Sequence, residues 1–140
     1  MAKVYLMINT NKNNNPECEN DMLQTQKCSA YYTPWKYYID TIEANDIVFL
    51  YSSGEGIIAR GVATGIVEVH DYAGNENEEH YMNLNRFELL NRPLPDREVT
   101  AIIREIAGGD FDIQWNQTMI LLADHFGRKV WQHITKNCIH

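Results

Sequence analysis

The clearest pattern in the chain is a run of five large apolar residues at positions 47–51, bounded by turn-forming residues on both sides. Such a run predicts a short strand that is buried on both faces. The β-rich stretch that follows, residues 57–69, is interrupted by Gly61 and Gly65. Because glycines inside strands mark bends, bulges or close backbone approaches, this stretch predicts a strongly curved sheet.

Helical spacing of apolar residues predicts three helices. The first begins at Thr33-Pro34, with Thr33 as N-cap and Pro34 at the first helical position, and runs to about Glu43. The second begins at Asp96 and stops at Gly108. The third carries its apolar face over residues 123–134.

The rest of the chain is assigned by weaker patterns. Residues 3–8 and the stretch from residue 81 are strand-like, and a change of parity predicts a bulge near Asn85-Arg86. Two polar segments, residues 9–27 and 70–78, are expected to be loops, the first with at most one helical turn. A short extended piece is expected at residues 111–115, and residues 119–122 suit a strand or an early helix equally.

The order of these elements indicates the fold class. Strands and helices do not alternate regularly, which argues against a doubly wound parallel sheet. We therefore expect an α/β fold of the α+β type, with a curved, mixed, mostly antiparallel sheet or pseudo-barrel and flanking helices. The 140 residues suit one domain, 1–140, that buries enough surface to fold without a disulfide or a metal.

The net charge of −7 is unevenly distributed. Residues 41–80 hold eight acids and one base, Arg60, whereas the remaining chain has eleven acids and eleven bases. Tight non-specific binding to duplex DNA is disfavoured, because phosphate contacts need a basic surface. A locally basic face remains open, with Lys36, Arg128 and Lys129 as its candidates.

The cysteines and the N-terminal residues predict where the protein works. Cys18, Cys28 and Cys138 are odd in number and have no paired spacing, which is typical of free thiols in a reducing compartment. With His140 they match no familiar zinc spacing, so no metal and no cofactor is expected. No signal peptide or membrane span is recognisable, and the predicted location is the cytoplasm.

No complete catalytic constellation is visible. The chain has no glycine-rich phosphate loop and no Gly-x-Ser-x-Gly elbow, which favours a binding protein over an enzyme. Five aromatic residues instead crowd into eight positions around the first predicted helix: Tyr31, Tyr32, Trp35, Tyr37 and Tyr38. Trp35 suits either of two roles, a wall that stacks on a nucleobase or a core tryptophan.

Several segments resemble the EVE domains of the PUA-like superfamily, to which YTH and ASCH domains also belong. The resemblance begins in residues 44–53, with Asn45-Asp46 before the apolar strand that ends in Tyr51-Ser52-Ser53. It continues in residues 56–63, 79–84 and 87–95 and in the helix-ending tail, and it covers nearly the whole chain. It implies a twisted β-barrel with flanking helices and a pocket in which a single, often methylated, nucleobase of DNA or RNA is held between aromatic rings.

The resemblance also implies the positions of the site. The segments that match the base pocket contain Asn9, Thr10, Tyr32, Trp35, Tyr51, Ser52, Ser53 and Trp115. The expected phosphate-binding residues are Lys36, Arg60, Arg128 and Lys129.

Two other functions stay open. An ASCH-like ribonuclease, or another PUA-like RNA-processing enzyme, would need a cluster of Lys, Arg and Tyr, for which Lys36, Arg60 and Tyr51 are the candidates. A module for a free nucleotide or small ligand, or a protein-interaction domain, would suit the acidic segment at residues 41–80 better. No membrane partner is expected.

Overall fold

The computed structural model describes residues 4–139. Within that range the chain forms seven strands, three α-helices and one 3₁₀ helix. In chain order they are β1 (Tyr5–Asn9), α1 (Pro16–Thr25), β2 (Lys27–Tyr31), the 3₁₀ helix (Trp35–Thr41), β3 (Ile47–Ser52), β4 (Gly56–Ala63), β5 (Glu68–Tyr72), β6 (Asn75–Leu94), α2 (Asp96–Ala107), β7 (Met119–Leu122) and α3 (Asp124–Asn137).

All seven strands belong to one curled, mixed sheet that forms a half-barrel. The strand order is β2-β6-β4-β3-β1-β7, and β5 pairs with β6 beside this path. The β1–β3 pair is parallel and the other pairs are antiparallel. The predicted fold class, a curved and mostly antiparallel sheet with flanking helices, is confirmed.

The sheet has a core on each face. In β3, Val48 and Leu50 pack toward α1 and the 3₁₀ helix, whereas Ile47 and Phe49 pack toward α2 and α3. Every residue of β3 is buried, as the five-residue apolar run predicts. Since successive side chains of a strand point to opposite faces, only a strand covered on both sides needs such a run.

Register shifts produce the curvature. Gly61 lies where β4 slips against β6, and a Cβ there would come within 2.8 Å of the Leu84 Cβ. Opposite it, β6 has one extra residue between Asn85 and Glu88, and Arg86 takes a positive φ of 52°. The predicted bend at Gly61 and the predicted bulge near Asn85-Arg86 are both confirmed.

The expectation of a loop over residues 9–27 is wrong, because the segment contains α1 and leads into β2. Asn15 caps α1 by accepting a hydrogen bond from the Glu17 N–H, and the helix buries only Cys18 and Met22. Because only two side chains of α1 contact the core, its sequence is mostly polar and shows no helical pattern of apolar residues. The loop expected at residues 70–78 is wrong as well, because the exposed β5 and the start of β6 form a hairpin there.

The predicted helices agree better with the structure than the predicted loops do. Helices α2 and α3 are confirmed, and residues 119–122 form a strand. The first predicted helix is instead a 3₁₀ helix that begins at Trp35, and Thr33 makes no capping hydrogen bond to it. Residues 111–115 form no strand. Lys3, at the start of the first predicted strand, and His140 lie outside the described residues.

The three cysteines are unpaired and buried. Among residues 4–139, no cluster of three or more His, Cys, Asp or Glu side chains is arranged to hold a metal ion. None of the helices in the same range has the length and apolar character needed to cross a membrane.

Candidate functional site

A cavity of about 430 Å³ opens at one end of the sheet, where β1 and β3 end and β7 begins. The edge strand β2 and the start of the 3₁₀ helix close its other side. We call it the Trp35 cavity. It is lined by Asn9, Asn11, Asn13, Asn14, Ser29, Ala30, Tyr31, Tyr32, Trp35, Ser53, Asn116, Gln117 and Thr118.

The aromatic side of the cavity is formed by Tyr31, Tyr32 and Trp35. Trp35 is 48% exposed and Tyr32 is 42% exposed, whereas Tyr31 is buried. Tyr72 supports the two tyrosines from behind, with ring centroids 4.5 Å from Tyr31 and 5.6 Å from Tyr32. Trp35 therefore leaves about half of its surface open beside rings that are already held in place.

The opposite side is polar and is tied together by hydrogen bonds. The Asn9 side-chain amide donates to Ser53 Oγ at 3.3 Å, and the Asn11 backbone N–H donates to Asn9 Oδ1 at 2.7 Å. Asn14 in turn donates from its side chain to Asn11 Oδ1 at 2.7 Å. Asn116 and Gln117 are exposed at the mouth. Carboxamides both donate and accept hydrogen bonds, so this side offers both kinds of group.

The lining is uncharged throughout. Burial, together with the neighbouring Cys18 thiol, raises the pKa of Tyr31. Burial, and then the same thiol, raises the pKa of Tyr72 to about 12. Both phenols are therefore neutral at physiological pH and cannot act as bases there.

Four residues expected in the pocket lie outside its lining. Thr10 and Ser52 are fully buried and donate their hydroxyls to Glu19 and Glu55. Tyr51 and Trp115 stack on each other, with ring centroids 4.7 Å apart and planes inclined by 28°. Trp115 also packs against the core cluster that faces α2 and α3 rather than the 3₁₀ helix. The structure thus places Asn9, Tyr32, Trp35 and Ser53 in the cavity, but neither Tyr51 nor Trp115 opposite Trp35.

The expected phosphate-binding residues do not form one surface. Lys36 Nζ lies 3.3 Å from Glu78 Oε1 and also donates to the Asn77 carbonyl. Arg128 pairs with Asp124 at 3.2 Å, and both Arg128 and the exposed Lys129 lie on α3.

Arg60 is not available to a ligand. It is 3% exposed and donates to Glu88 Oε1 at 2.8 Å and to Thr135 Oγ1 at 2.9 Å. Its guanidinium lies 3.7 Å from the centroid of the Trp131 ring. Because Arg60 is anchored on α3 and Lys36 lies beside the β5–β6 hairpin, the Lys, Arg and Tyr cluster that a ribonuclease would need is not assembled.

A second cavity of about 470 Å³ lies on the opposite face of the sheet. It is lined by Tyr5, Ile47, Val62, Arg86, Phe87, Glu88 and Trp131. None of the residues expected in the base pocket lies in it.

Nine lining residues of the Trp35 cavity were not expected from the sequence: Asn11, Asn13, Asn14, Ser29, Ala30, Tyr31, Asn116, Gln117 and Thr118. The asparagine-rich segment at residues 11–15 was a usable signal, because long polar segments in compact domains are often functional. Residues 116–118 carry no such signal, since the pairing of β7 with β1 brings them to the site.

Neither the known family models nor the curated proteins include a match to the chain. Solved structures do match. Protein PSPTO5229 from Pseudomonas syringae is similar to it with a TM-score of 0.59 and 10% sequence identity, over 93% of this chain and 99% of that one. Rpa0253 from Rhodopseudomonas palustris has a TM-score of 0.56 and 14% identity, over 97% and 92% of the two chains. At these identities the likeness shows a shared fold.

Proposed function

We propose that the chain is a nucleic-acid-binding module of the EVE type that takes one uncharged nucleobase, in particular a methylated one, into the Trp35 cavity. The base would belong to DNA or RNA in the cytoplasm. The observation that carries the proposal is Trp35 itself, a tryptophan that is 48% exposed and lines a cavity of about 430 Å³.

The lining suits the two surfaces of a nucleobase. A base has a flat face, which aromatic rings hold by stacking, and an edge of alternating donors and acceptors. The cavity offers Trp35 and Tyr32 for the face and the carboxamides of Asn116 and Gln117 for the edge. A base that is already unstacked or single-stranded costs least to extrude into such a pocket.

The charges favour an uncharged group over a phosphate. No lining residue is ionised, and the neighbouring lysines are neutralised by carboxylates, Lys36 by Glu78 and Lys12 by Glu55 at 2.9 Å. A free nucleoside triphosphate normally requires unpaired cations or backbone N–H groups for its phosphates. A base presented by a strand requires few such contacts.

The remaining candidates have less support. An RNA-processing enzyme is not supported, because Lys36, Arg60 and Tyr51 are held apart. A module for a free nucleoside would use the same cavity, and the experiment separates it from a module that binds a strand.

The test is a binding screen with purified protein. Short single- and double-stranded oligonucleotides, each with one 5-methylcytosine or one N6-methyladenine, are compared with unmodified strands and with the free nucleosides. We expect tighter binding to at least one modified strand than to its unmodified form, with weaker binding of the matching nucleoside. Equal binding of modified and unmodified strands, or binding of the nucleoside alone, would contradict the proposal.

A further inference from the structure

The floor of the Trp35 cavity contains a buried hydroxyl that has no hydrogen-bond partner among residues 4–139. Ser29 is 1% exposed and lines the cavity, and its Oγ makes no hydrogen bond to any described residue. The Tyr31 hydroxyl lies nearby: burial is the largest cause that raises its pKa and the Ser29 side chain lowers it, yet the two hydroxyls do not meet in hydrogen-bonding geometry. Buried polar groups in native proteins nearly always have a partner, so this hydroxyl is free to form a hydrogen bond with a bound group.

The backbone beside Ser29 is also available. In the antiparallel pairing of β2 with β6, the Tyr32 N–H donates to the Glu78 carbonyl and the Leu84 N–H donates to the Gln26 carbonyl. Hydrogen-bonded and non-hydrogen-bonded pairs alternate in such a ladder. Ser29 and Tyr31 are therefore in non-hydrogen-bonded positions, and their N–H and C=O groups point away from β6, to the free edge of the sheet.

That free edge borders the cavity. Ser29, Ala30 and Tyr31 are consecutive and all three line it. Consecutive side chains of a strand alternate between the two faces, so a cavity lined by all three must follow the edge of the strand. An edge strand presents a row of donors and acceptors with fixed spacing.

We propose that the free edge of β2 is the selectivity element of the site. Ser29 Oγ, together with the backbone N–H and C=O groups of Ser29 and Tyr31, binds the hydrogen-bonding edge of a heterocyclic base, while Trp35 contacts its face. This inference rests on the proposed function and names the residues that distinguish one base from another. A hydroxyl donates or accepts as its partner requires, and a buried polar site strongly rejects a ligand that leaves it unpaired.

The decisive variant is Ser29→Ala. Removing a hydroxyl that has no partner should leave the urea midpoint of the free protein unchanged or slightly raised. Affinity for the tightest-binding methylated oligonucleotide of the screen should fall roughly three- to tenfold, the usual effect of one lost hydrogen bond. The preference for the modified over the unmodified strand should shrink as well.

The matched control is Ser52→Ala. Ser52 is likewise a buried serine in a strand, but it donates to Glu55 and lies outside the cavity. This variant should lower the urea midpoint and leave affinity unchanged. The difluorotoluene analogue of thymine has a flat face without a hydrogen-bonding edge. Wild type and Ser29→Ala should therefore have the same affinity for a strand that carries this analogue.

The outcomes separate the two proposals. If Ser29→Ala keeps the affinity and the selectivity of wild type while Trp35→Ala loses affinity, the inference is overturned and the proposed function stands. The inference is also overturned if Ser29→Ala lowers the affinity for the difluorotoluene strand as much as the affinity for the methylated strand, because the effect would then be one of packing. If no probe binds to wild type, the proposed function falls, and this inference with it.

Discussion

The rings of Tyr51 and Trp115 stack on each other at 4.7 Å, and this contact determines which aromatic residues can serve the cavity. Trp115 joins the cluster that faces α2 and α3, and Tyr51 is 5% exposed. The pair therefore closes the end of the core on one face of the sheet, while Trp35 is left open on the other. Two tryptophans that look equivalent in the sequence have different surroundings.

Replacing Trp115 should consequently affect stability and not binding. Trp115→Ala removes a stacked pair, which contributes about 0.5–1.5 kcal/mol beyond the burial itself, together with part of the buried area. We expect the free energy of unfolding to fall by about 2–3 kcal/mol. Affinity for the methylated oligonucleotide should stay at the wild-type value, and a large loss of affinity at unchanged stability would return Trp115 to the site. Urea denaturation and a titration of the folded variant provide both numbers.

Arg60 should behave as a structural residue as well. Arg60→Met removes the hydrogen bonds that Arg60 donates to Glu88, to Thr135 and to the Trp131 carbonyl, and of these the carbonyl keeps the Thr135 hydroxyl as a donor. We expect a loss of about 2 kcal/mol in the free energy of unfolding. The loss is no larger because the Glu88 carboxylate is partly exposed and can be hydrated when Arg60 is absent. Binding per folded molecule should not change. If Arg60→Met binds nucleic acid weakly while keeping wild-type stability, Arg60 contacts phosphate after all.

Local sequence patterns predict only part of this fold. The two-sided burial of β3 and the bulge at Arg86 follow from local patterns, because alternation and parity are properties of consecutive residues. Strand β2 has no such pattern, since it begins with a charged residue, Lys27, which is buried beside Asp21 and Glu79, each at 2.8 Å. Burial lowers the pKa of Lys27, but the two carboxylates outweigh it and the pKa is raised overall.

The site illustrates the same limit. Trp35 and Tyr32 are conspicuous because they belong to a dense aromatic segment, and the resemblance assigns them a role. Thr118 reaches the cavity only through the antiparallel register of β1 and β7, in which Ile8 faces Met119 and the Asn9 N–H donates to the Thr118 carbonyl at 2.9 Å. No local pattern encodes a contact across more than one hundred residues.

Alkaline pH should destabilise the protein through Cys28. Burial raises the pKa of this thiol from 9.0 to about 12. Above pH 9 the unfolded chain loses the proton while the folded chain keeps it, so stability falls as pH rises, by about 1.4 kcal/mol per pH unit up to the folded pKa. Tyr31 and Tyr72, whose pKa values are also raised, add to the loss in the same direction.

The variant Cys28→Ala isolates the contribution of the thiol. Its urea midpoint should be lower than that of wild type at pH 8, because the smaller side chain leaves a cavity, but it should fall less between pH 8 and pH 10.5. Parallel decreases of the two proteins over this interval would contradict the assignment to Cys28.

Binding of the methylated oligonucleotide should depend weakly on salt. Each neutralised phosphate contributes about −0.9 to the slope of log K against log salt in duplex DNA and about −0.7 in single strands. With Lys36 held by Glu78 and Lys12 held by Glu55, we expect a slope no steeper than about −2. Glu78→Gln removes the carboxylate that pairs with Lys36, and the slope should become steeper by about the contribution of one phosphate contact. A wild-type slope near −5 would instead mean that a basic surface dominates binding.

Trp35→Ala tests the cavity most directly, because its two possible roles predict opposite results. Replacing a core tryptophan with alanine lowers the free energy of unfolding by about 3–5 kcal/mol. Since Trp35 is 48% exposed, we expect a loss of only about 1–2 kcal/mol in the free energy of unfolding. Affinity for the methylated strand should fall by about 1–3 kcal/mol, the usual contribution of base stacking and roughly a 5- to 150-fold change in the dissociation constant.

The control for this variant is Trp131→Ala. Trp131 packs against Phe49 with ring centroids 6.4 Å apart and carries the Arg60 guanidinium, on the other face of the sheet. Its truncation should cost more stability than that of Trp35 and leave affinity unchanged, and Trp131→Phe replaces it if the alanine variant does not fold. A folded Trp35→Ala protein that binds the methylated strand as tightly as wild type would remove Trp35 from the site. In that case the half-exposed ring would have to be explained by a partner other than a base.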